Sequence, residues 1–152
     1  MAVTTLIPPE YVIQAAIAAS LNSPCQSKRG VCIFDHIGPE SHNTFIVITT
    51  GWNDKPRGFE CDGSNTCKAN CGAEAVHAEQ MALLDAPHIP KRAEMLHVKT
   101  VNGVLVPSGG PSCLQCSKLL VGRVAAMWLY HQDGWIRYPA EQFHSLTLKA
   151  HR

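Results

Sequence analysis

Four stretches of the chain carry the apolar spacing or the alanine-rich composition typical of helices. A proline pair precedes the first stretch, and Pro87 ends the second, because proline cannot continue a helix. Ser112 is a suitable N-cap for the third, since its hydroxyl can accept a hydrogen bond from a free amide of the first turn. The predicted helices are Tyr11–Leu21, Ala73–Ala86, a helix from Ser112 to about Gly122, and Pro139–Lys149.

Short runs rich in apolar and β-branched residues lie between these helices and predict strands. Asn102-Gly103 is a strong hairpin signal, because both residues tolerate the positive φ of a tight turn, and Asp133-Gly134 marks another turn. The predicted strands are Gly30–Asp35, Thr44–Thr50, Glu94–Val101, Val104–Val106 and Val124–Tyr130. Helices that alternate with strands predict an α/β layered fold. A length of 152 residues fits a single domain, residues 1–152.

The net charge and the hydropathy of the chain give no reason to expect a nucleic acid or a membrane as a partner. A net charge of +1 without a run of Lys or Arg gives no electrostatic reason to expect nucleic-acid binding. The apolar stretch Tyr11–Leu21 is too short to cross a membrane, and Gln14 interrupts it. No basic segment precedes it, so a signal peptide is not expected, and a cytoplasmic location is the default expectation.

The main chemical signal is a pair of short motifs, His77-Ala78-Glu79 and Cys113-Leu114-Gln115-Cys116. Together they supply one imidazole, two thiols and one carboxylate. Three nitrogen and sulfur ligands leave the fourth position of a tetrahedral zinc ion open, which is typical of a catalytic site. Both motifs fall near predicted helix N-termini, whose positive ends favour thiolates and a bound hydroxide. One alternative stays open: a closed structural zinc site with Glu79 merely solvated.

Seven cysteines are an odd number in a chain without a predicted secretion signal, which favours metal binding over a disulfide framework. Cys32 lies in an apolar run predicted as a buried strand, where a thiol behaves as a small hydrophobe. Outside the zinc motif four cysteines remain: Cys25, Cys61, Cys67 and Cys71. Four cysteines suit a structural zinc site, which would hold a Gly/Asn/Ser-rich loop with little apolar material of its own. Free loop thiols, or a site completed by a His or water, are the alternatives.

On these motifs the chain resembles the cytidine and deoxycytidylate deaminase superfamily, and within it the deoxycytidylate (dCMP) deaminase branch. Apart from Ser112, the two zinc motifs match the H-x-E…P-C-x-x-C signature of zinc deaminases. The matching residues run from Cys25 to about Tyr130 and include Gly30-Val31, Gly51-Trp52-Asn53, Pro56-Arg57-Gly58, Val76 to Gln80, and Cys113 to Leu120. The resemblance implies a three-layer α/β/α sandwich with a mixed sheet of about five strands, and a homo-oligomer.

The resemblance also implies roles at the reactive centre. His77, Cys113 and Cys116 would bind the catalytic zinc ion. Glu79 would take a proton from the attacking water and pass it to the ring nitrogen of the base, then to the leaving amine. No organic cofactor is expected.

Other roles implied by the resemblance concern the substrate and a second metal. Asn53 would hydrogen-bond the sugar of the substrate, and Ala78 is a further candidate for substrate contact. Arg57 would meet a phosphate, unless it is only a surface charge. Cys25 and Cys61 match positions that some members of the branch use for a second, structural zinc ion.

Three departures from the family pattern bear on the substrate. Ser112 separates Pro111 from Cys113, where the family usually has Pro directly before Cys, so the loop that seats the substrate amine is shifted. The segment Val101 to Gly110 is an insertion-like hairpin that leads toward the site. The tail after Tyr130 is short and carries no familiar phosphate or sugar clamp.

The resulting prediction is hydrolytic deamination of a small-molecule substrate, with dCMP to dUMP and ammonia as the leading reaction. Cytidine or deoxycytidine, free guanine or cytosine, and tRNA adenosine are alternative substrates. The near-neutral charge and the cysteine-rich loop count against the tRNA. A zinc-stabilised binding module without turnover is the alternative outside the enzymes, and Glu79 counts against it because binding alone does not require a proton carrier.

Overall fold

A computed structural model of the chain describes residues 7–25, 27–37, 44–55, 76–86, 88–108 and 114–150. These residues form helices and strands in an alternating order, as the sequence predicts. The elements are α1 (Glu10–Ser20), β1 (Lys28–Ile37), β2 (Thr44–Trp52), α2 (Ala78–Asp85), β3 (Glu94–Val101), β4 (Val104–Val106), α3 (Leu114–Leu120), β5 (Ala126–His131), β6 (Gly134–Pro139) and α4 (Ala140–Ala150). Within this described part, no helix is both long and apolar enough to cross a bilayer.

The strands form one mixed, six-stranded sheet in the order β2-β1-β3-β5-β6, with β4 paired to β3. Among the described strands only β3 and β5 run parallel, and the other pairs are antiparallel. The first half of β3 pairs with β5, from Glu94 to His97, and its last residues pair with β4, from Lys99 to Val101. The parallel pair is joined through α3, so α3 is the crossover connection that parallel strands need.

Helices cover both faces of the sheet. On one face, α1 packs through residues such as Val12 and Ala16 against Cys32 and Leu96 of the central strands. On the other face, α2, α3 and α4 pack against a second core that includes Met95. This arrangement is a three-layer α/β/α sandwich, and it confirms the predicted fold class. Cys32 is fully buried as predicted, and burial raises the pKa of its thiol to about 12.

The predicted turn at Asn102-Gly103 is confirmed, whereas the predicted bounds of some helices and strands are wrong. Asn102 and Gly103 have φ values of 52° and 77°, which confirms the predicted hairpin. The prediction that Val76 is already helical is wrong, because its backbone pairs with Asp54 in an isolated bridge and α2 begins only after it. The sequence reading also missed β6, which forms a second hairpin with β5 across Gly134.

Two glycines let helices touch the sheet backbone directly. A Cβ atom on Gly30 would lie 2.0 Å from the carbonyl oxygen of Ala16 in α1. A Cβ atom on Gly51 would lie 2.5 Å from the carbonyl oxygen of Ala78 and 2.6 Å from the amide nitrogen of Ala82, both in α2. Since backbone atoms cannot move aside singly, any larger residue at Gly51 must push α2 away from β2.

We therefore expect Gly51→Ala to lower the free energy of unfolding by about 1–3 kcal/mol, the usual cost of overpacking a core. The measurement is urea unfolding of the purified protein. Gly122→Ala is the matched control, because a Cβ atom there meets nothing within 4 Å and should change stability little. Equal midpoints for the two variants would show that α2 does not depend on this contact.

Candidate metal centre and its buried polar cluster

The first half of the site is the start of α2. His77 is the N-cap residue, with an extended backbone at φ −75° and ψ 154°. Its amide donates a hydrogen bond to Oε1 of Gln80 at 3.0 Å, which satisfies one of the backbone donors that a helix N-terminus leaves unpaired. Glu79 follows in the first turn, where the positive end of the helix favours a carboxylate. The local sequence thus fixes both motif side chains at the same helix end.

The second half is α3, which brings Cys116 to His77. Nδ1 of His77 lies 3.2 Å from Sγ of Cys116. Donor atoms of His77, Glu79 and Cys116 all lie within 4.8 Å of one another. The next residue, Ser117, bonds Nδ1 of His144 at 2.9 Å, and this contact anchors α3 to α4. Residues that are far apart in the chain therefore meet as the two motifs predicted.

The chemistry of these donors fits zinc. Imidazole nitrogen and cysteine sulfur are the ligands that zinc prefers, and soft thiolates disfavour magnesium and calcium. Cys116 is fully buried and Glu79 is only 6% exposed. Glu79 is therefore buried and not simply solvated, as the alternative of a closed structural site supposed. Cys113, the predicted third ligand, lies outside the described residues.

Beneath Glu79 the sheet contributes two polar residues that the sequence reading missed. His97 of β3 places Nε2 3.4 Å from Oε1 of Glu79, and both side chains are about nine-tenths buried. Arg29 of β1 projects from the same sheet face, since its neighbour two residues on, Val31, pairs directly with His97. Nη1 of Arg29 donates to the carbonyl oxygen of Ser108 at 3.1 Å. The sequence signal that could have identified Arg29 and His97 is the presence of a polar residue on a strand face that is otherwise apolar.

The charges of these groups follow from their burial. Burial lowers the pKa of His97 to about 4, the charge of Glu79 opposes that shift, and the positive charges of Arg29 and His77 add to it. His97 is therefore neutral at pH 7 and carries one ring proton. Burial also lowers the pKa of Arg29, and the negative charge of Glu79 partly restores it. Glu79 is thus the shared negative neighbour of a neutral histidine and a guanidinium.

Asn53 closes the end of the sheet beside this cluster. Its side-chain oxygen accepts from the amide of Arg29 at 2.8 Å, and its side-chain nitrogen donates to the carbonyl oxygen of Ser27 at 2.7 Å. The Sγ atom of Cys25 lies 3.9 Å from the Asn53 carbonyl oxygen, and Cys25 is buried. These bonds leave Asn53 one amide hydrogen and further acceptor capacity on its oxygen.

The remaining predicted site residues divide into two groups. Ala78 is buried, at the point where α2 touches Gly51. Several others lie outside the described residues: Arg57, Cys61, Cys67, Cys71, Pro111 and Ser112. The substrate-contact and second-metal roles stay predictions, as do the homo-oligomer and the cytoplasmic location.

The chain is similar to known proteins in its three-dimensional structure and not in comparisons of its sequence with family models or curated proteins. No protein-family model matches the sequence, and no curated protein matches it. The fold is similar to the crystal structure of dCMP deaminase from the cyanophage S-TIM5 in apo form, with a TM-score of 0.52 and 21% identity over 78% of each chain. The structure of that enzyme in complex with dCMP and dUMP gives a TM-score of 0.45 at 21% identity, over 73% of this chain and 70% of that chain. The first similarity shows that this chain has the fold of a dCMP deaminase.

Proposed function

We propose that this protein is a zinc-dependent hydrolytic deaminase of a cytosine nucleotide, which converts dCMP to dUMP and ammonia. The observation that carries the proposal is the grouping of His77, Glu79 and Cys116, which offers metal ligands and a buried carboxylate at one point. A binding module would need the ligands alone. The deaminase-like fold supports the same reading.

The metal would be held by His77 and Cys116, with Cys113 as the third ligand. When bound, zinc supplies the Lewis acid that activates the attacking water. His97 engages the Glu79 carboxylate from the sheet side, which favours a role for Glu79 outside the ligand set. A site of three protein ligands is also the composition that keeps a position open for chemistry.

Glu79 would carry the proton. It accepts one from the attacking water and delivers it to the ring nitrogen of the base, and then assists the departure of the amine. Water adds to the amino-bearing carbon, the carbon–nitrogen bond breaks, ammonia leaves and a carbonyl remains. Because Glu79 is only 6% exposed, its proton is shielded from exchange with bulk water during these steps.

The nucleotide substrate is supported by residues around the cluster. Asn53 is held by β1 and keeps a donor and an acceptor for the sugar. Arg57 follows it by four residues in the sequence and would meet the 5′-phosphate, while Ala78 would line the base. The enzyme whose fold this chain shares is a dCMP deaminase.

A second, structural zinc ion is part of the proposal. Cys25 is buried against Asn53, ahead of β1. Cys61, Cys67 and Cys71 would complete the site from the glycine-rich segment that follows. Such an ion would tie that segment to the residues next to Asn53 and so hold one wall of the substrate site.

Substitutions of Glu79 and His77 distinguish a residue that carries a proton from a residue that binds the metal. Glu79→Ala should retain the catalytic zinc but lose about 10²–10⁴-fold in kcat, the usual contribution of general acid–base catalysis. His77→Ala should instead lose the metal itself. Ammonia release and zinc content, both measured on the same preparations, check this. Turnover of Glu79→Ala within tenfold of the parent would remove Glu79 from the mechanism.

Substrate choice is tested with dCMP, deoxycytidine, cytosine, guanine and an adenosine-containing tRNA, by ammonia release. We expect dCMP to give the highest kcat/KM, since a nucleoside leaves the phosphate-binding groups unpaired. Arg57→Ala should then reduce kcat/KM for dCMP more than for deoxycytidine. Equal kcat/KM for the two would sink the phosphate assignment, and no turnover of any substrate would favour the binding module.

Elemental analysis of unstripped protein should find two zinc ions per chain. Cys67→Ser should reduce that number to one and lower the melting temperature, because metal binding contributes folding free energy at structural sites. Cys32→Ser is the control, since this buried thiol lies in the core formed with α1 and should not change the zinc content. One zinc per chain in the parent would show that the loop holds no metal.

A further inference from the structure

The side chain of His97 is held rigidly in the centre of the sheet. Its strand neighbours are Val31 on β1 and Leu129 on β5, and both are buried. The ring therefore has little freedom to turn, and its Nε2 atom faces Oε1 of Glu79 at 3.4 Å. That separation is long for a hydrogen bond, and such contacts around catalytic groups commonly shorten when substrate binds.

The two ring nitrogens of His97 have different surroundings. Nε2 faces a carboxylate, which accepts protons from its neighbours when ionised. Nδ1 is buried and has no hydrogen-bond partner among the residues that the structure describes. A neutral imidazole carries a single N–H, and that hydrogen is stabilised at Nε2, where an acceptor faces it.

A fixed donor on one carboxylate oxygen constrains the other. Glu79 is attached to the first turn of α2 and has rotatable bonds between its backbone and its carboxylate. Nε2 of His97 faces Oε1 from the sheet side, so a hydrogen bond between these two atoms would fix the orientation of the carboxylate plane independently of α2. Proton transfer is sensitive to such placement, because an error of about 1 Å can cost about 10²-fold in rate.

We propose that His97 is a positioning residue, which donates from Nε2 to Oε1 of Glu79 and aims the other carboxylate oxygen at the reacting atoms. This role rests on the proposed deaminase function, in which Glu79 carries the proton. In this role His97 acts through Glu79, and it does not belong to the group of possible metal ligands among the described residues. Its contribution appears in kcat, through Glu79.

Three substitutions distinguish a hydrogen bond from packing. In His97→Gln the side-chain amide nitrogen reaches close to the place of Nε2, whereas in His97→Asn it lies near the place of Nδ1. His97→Leu fills similar space without a donor. We expect kcat to fall about tenfold to a hundredfold for His97→Leu, less for His97→Asn, and least for His97→Gln, with KM and zinc content unchanged.

Stability should follow the opposite order. Leucine suits a buried position between Val31 and Leu129 better than an amide does, so His97→Leu should be at least as stable as His97→Gln. A purely structural role predicts that activity follows the melting temperature. His36→Gln is the control, because His36 lies in the same sheet but contacts Phe45 at a ring distance of 5.1 Å.

A measurement without turnover makes the proposal independent of the reaction. Correlation of the ring nitrogens and protons by NMR at pH 7 reports the tautomer of each histidine, and the signal lost in His97→Leu identifies His97. We expect the neutral Nε2–H form. The Nδ1–H form, a charged ring, or equal kcat for the Gln and Leu variants would overturn the proposal. A parent protein that deaminates no substrate would refute the deaminase function, and the NMR result would still decide whether His97 donates to Glu79.

Discussion

The backbone contact between β2 and α2 at Gly51 sets the position of the helix end that carries His77 and Glu79. Because no side chain separates the strand from the helix, Ala78 lies directly on the sheet, and its neighbours His77 and Glu79 are held close to the strands. The carboxylate can therefore reach a side chain that rises from the middle of the sheet. A helix at the usual distance from the sheet would leave Glu79 above the strands and exposed to water.

The position of Glu79 directly against the sheet has an electrostatic consequence. Polar groups of Glu79, His97 and Arg29 lie together in a region from which water is largely excluded, so their charges act on one another more strongly than they would in water. The depressed pKa of His97 shows the balance: burial outweighs the attraction of the nearby carboxylate. The result is one carboxylate with a neutral imidazole and a guanidinium as neighbours, so its electrostatic surroundings are asymmetric.

The sequence predicted those parts of the structure that local chemistry determines. Asn102-Gly103 specified a hairpin because few residues adopt positive φ, and the zinc motifs identified His77 and Cys116 because their side chains suit the metal. The start of α2 was misplaced because Val76 takes part in a bridge with Asp54, a contact that helix propensity cannot register. β6 was missed because its residues are exposed or only partly buried and show no continuous apolar run.

The sequence marks His97 and Arg29 only as polar residues in apolar strands, and their contact with Glu79 could not be predicted from it for a different reason. The approach of His97 and Arg29 to Glu79 depends on the register of β1 against β3, in which Val31 opposes His97. A shift of β1 by one residue would turn Arg29 to the face of the sheet opposite His97. Register is settled by the whole of both strands and by the helices that cover them, so no short motif reports it.

The crossover through α3 also has a consequence for the order of assembly. His77 and Cys116 are 39 positions apart in the sequence. The helix that carries Cys116 follows β3 and precedes β5 along the chain. The contact between them has to close that separation in the chain, which costs loop-closure entropy. The two side chains come together only when α2 and α3 have both packed on the sheet. A metal ion held by both would join the two helices, and its binding free energy would offset part of that entropy.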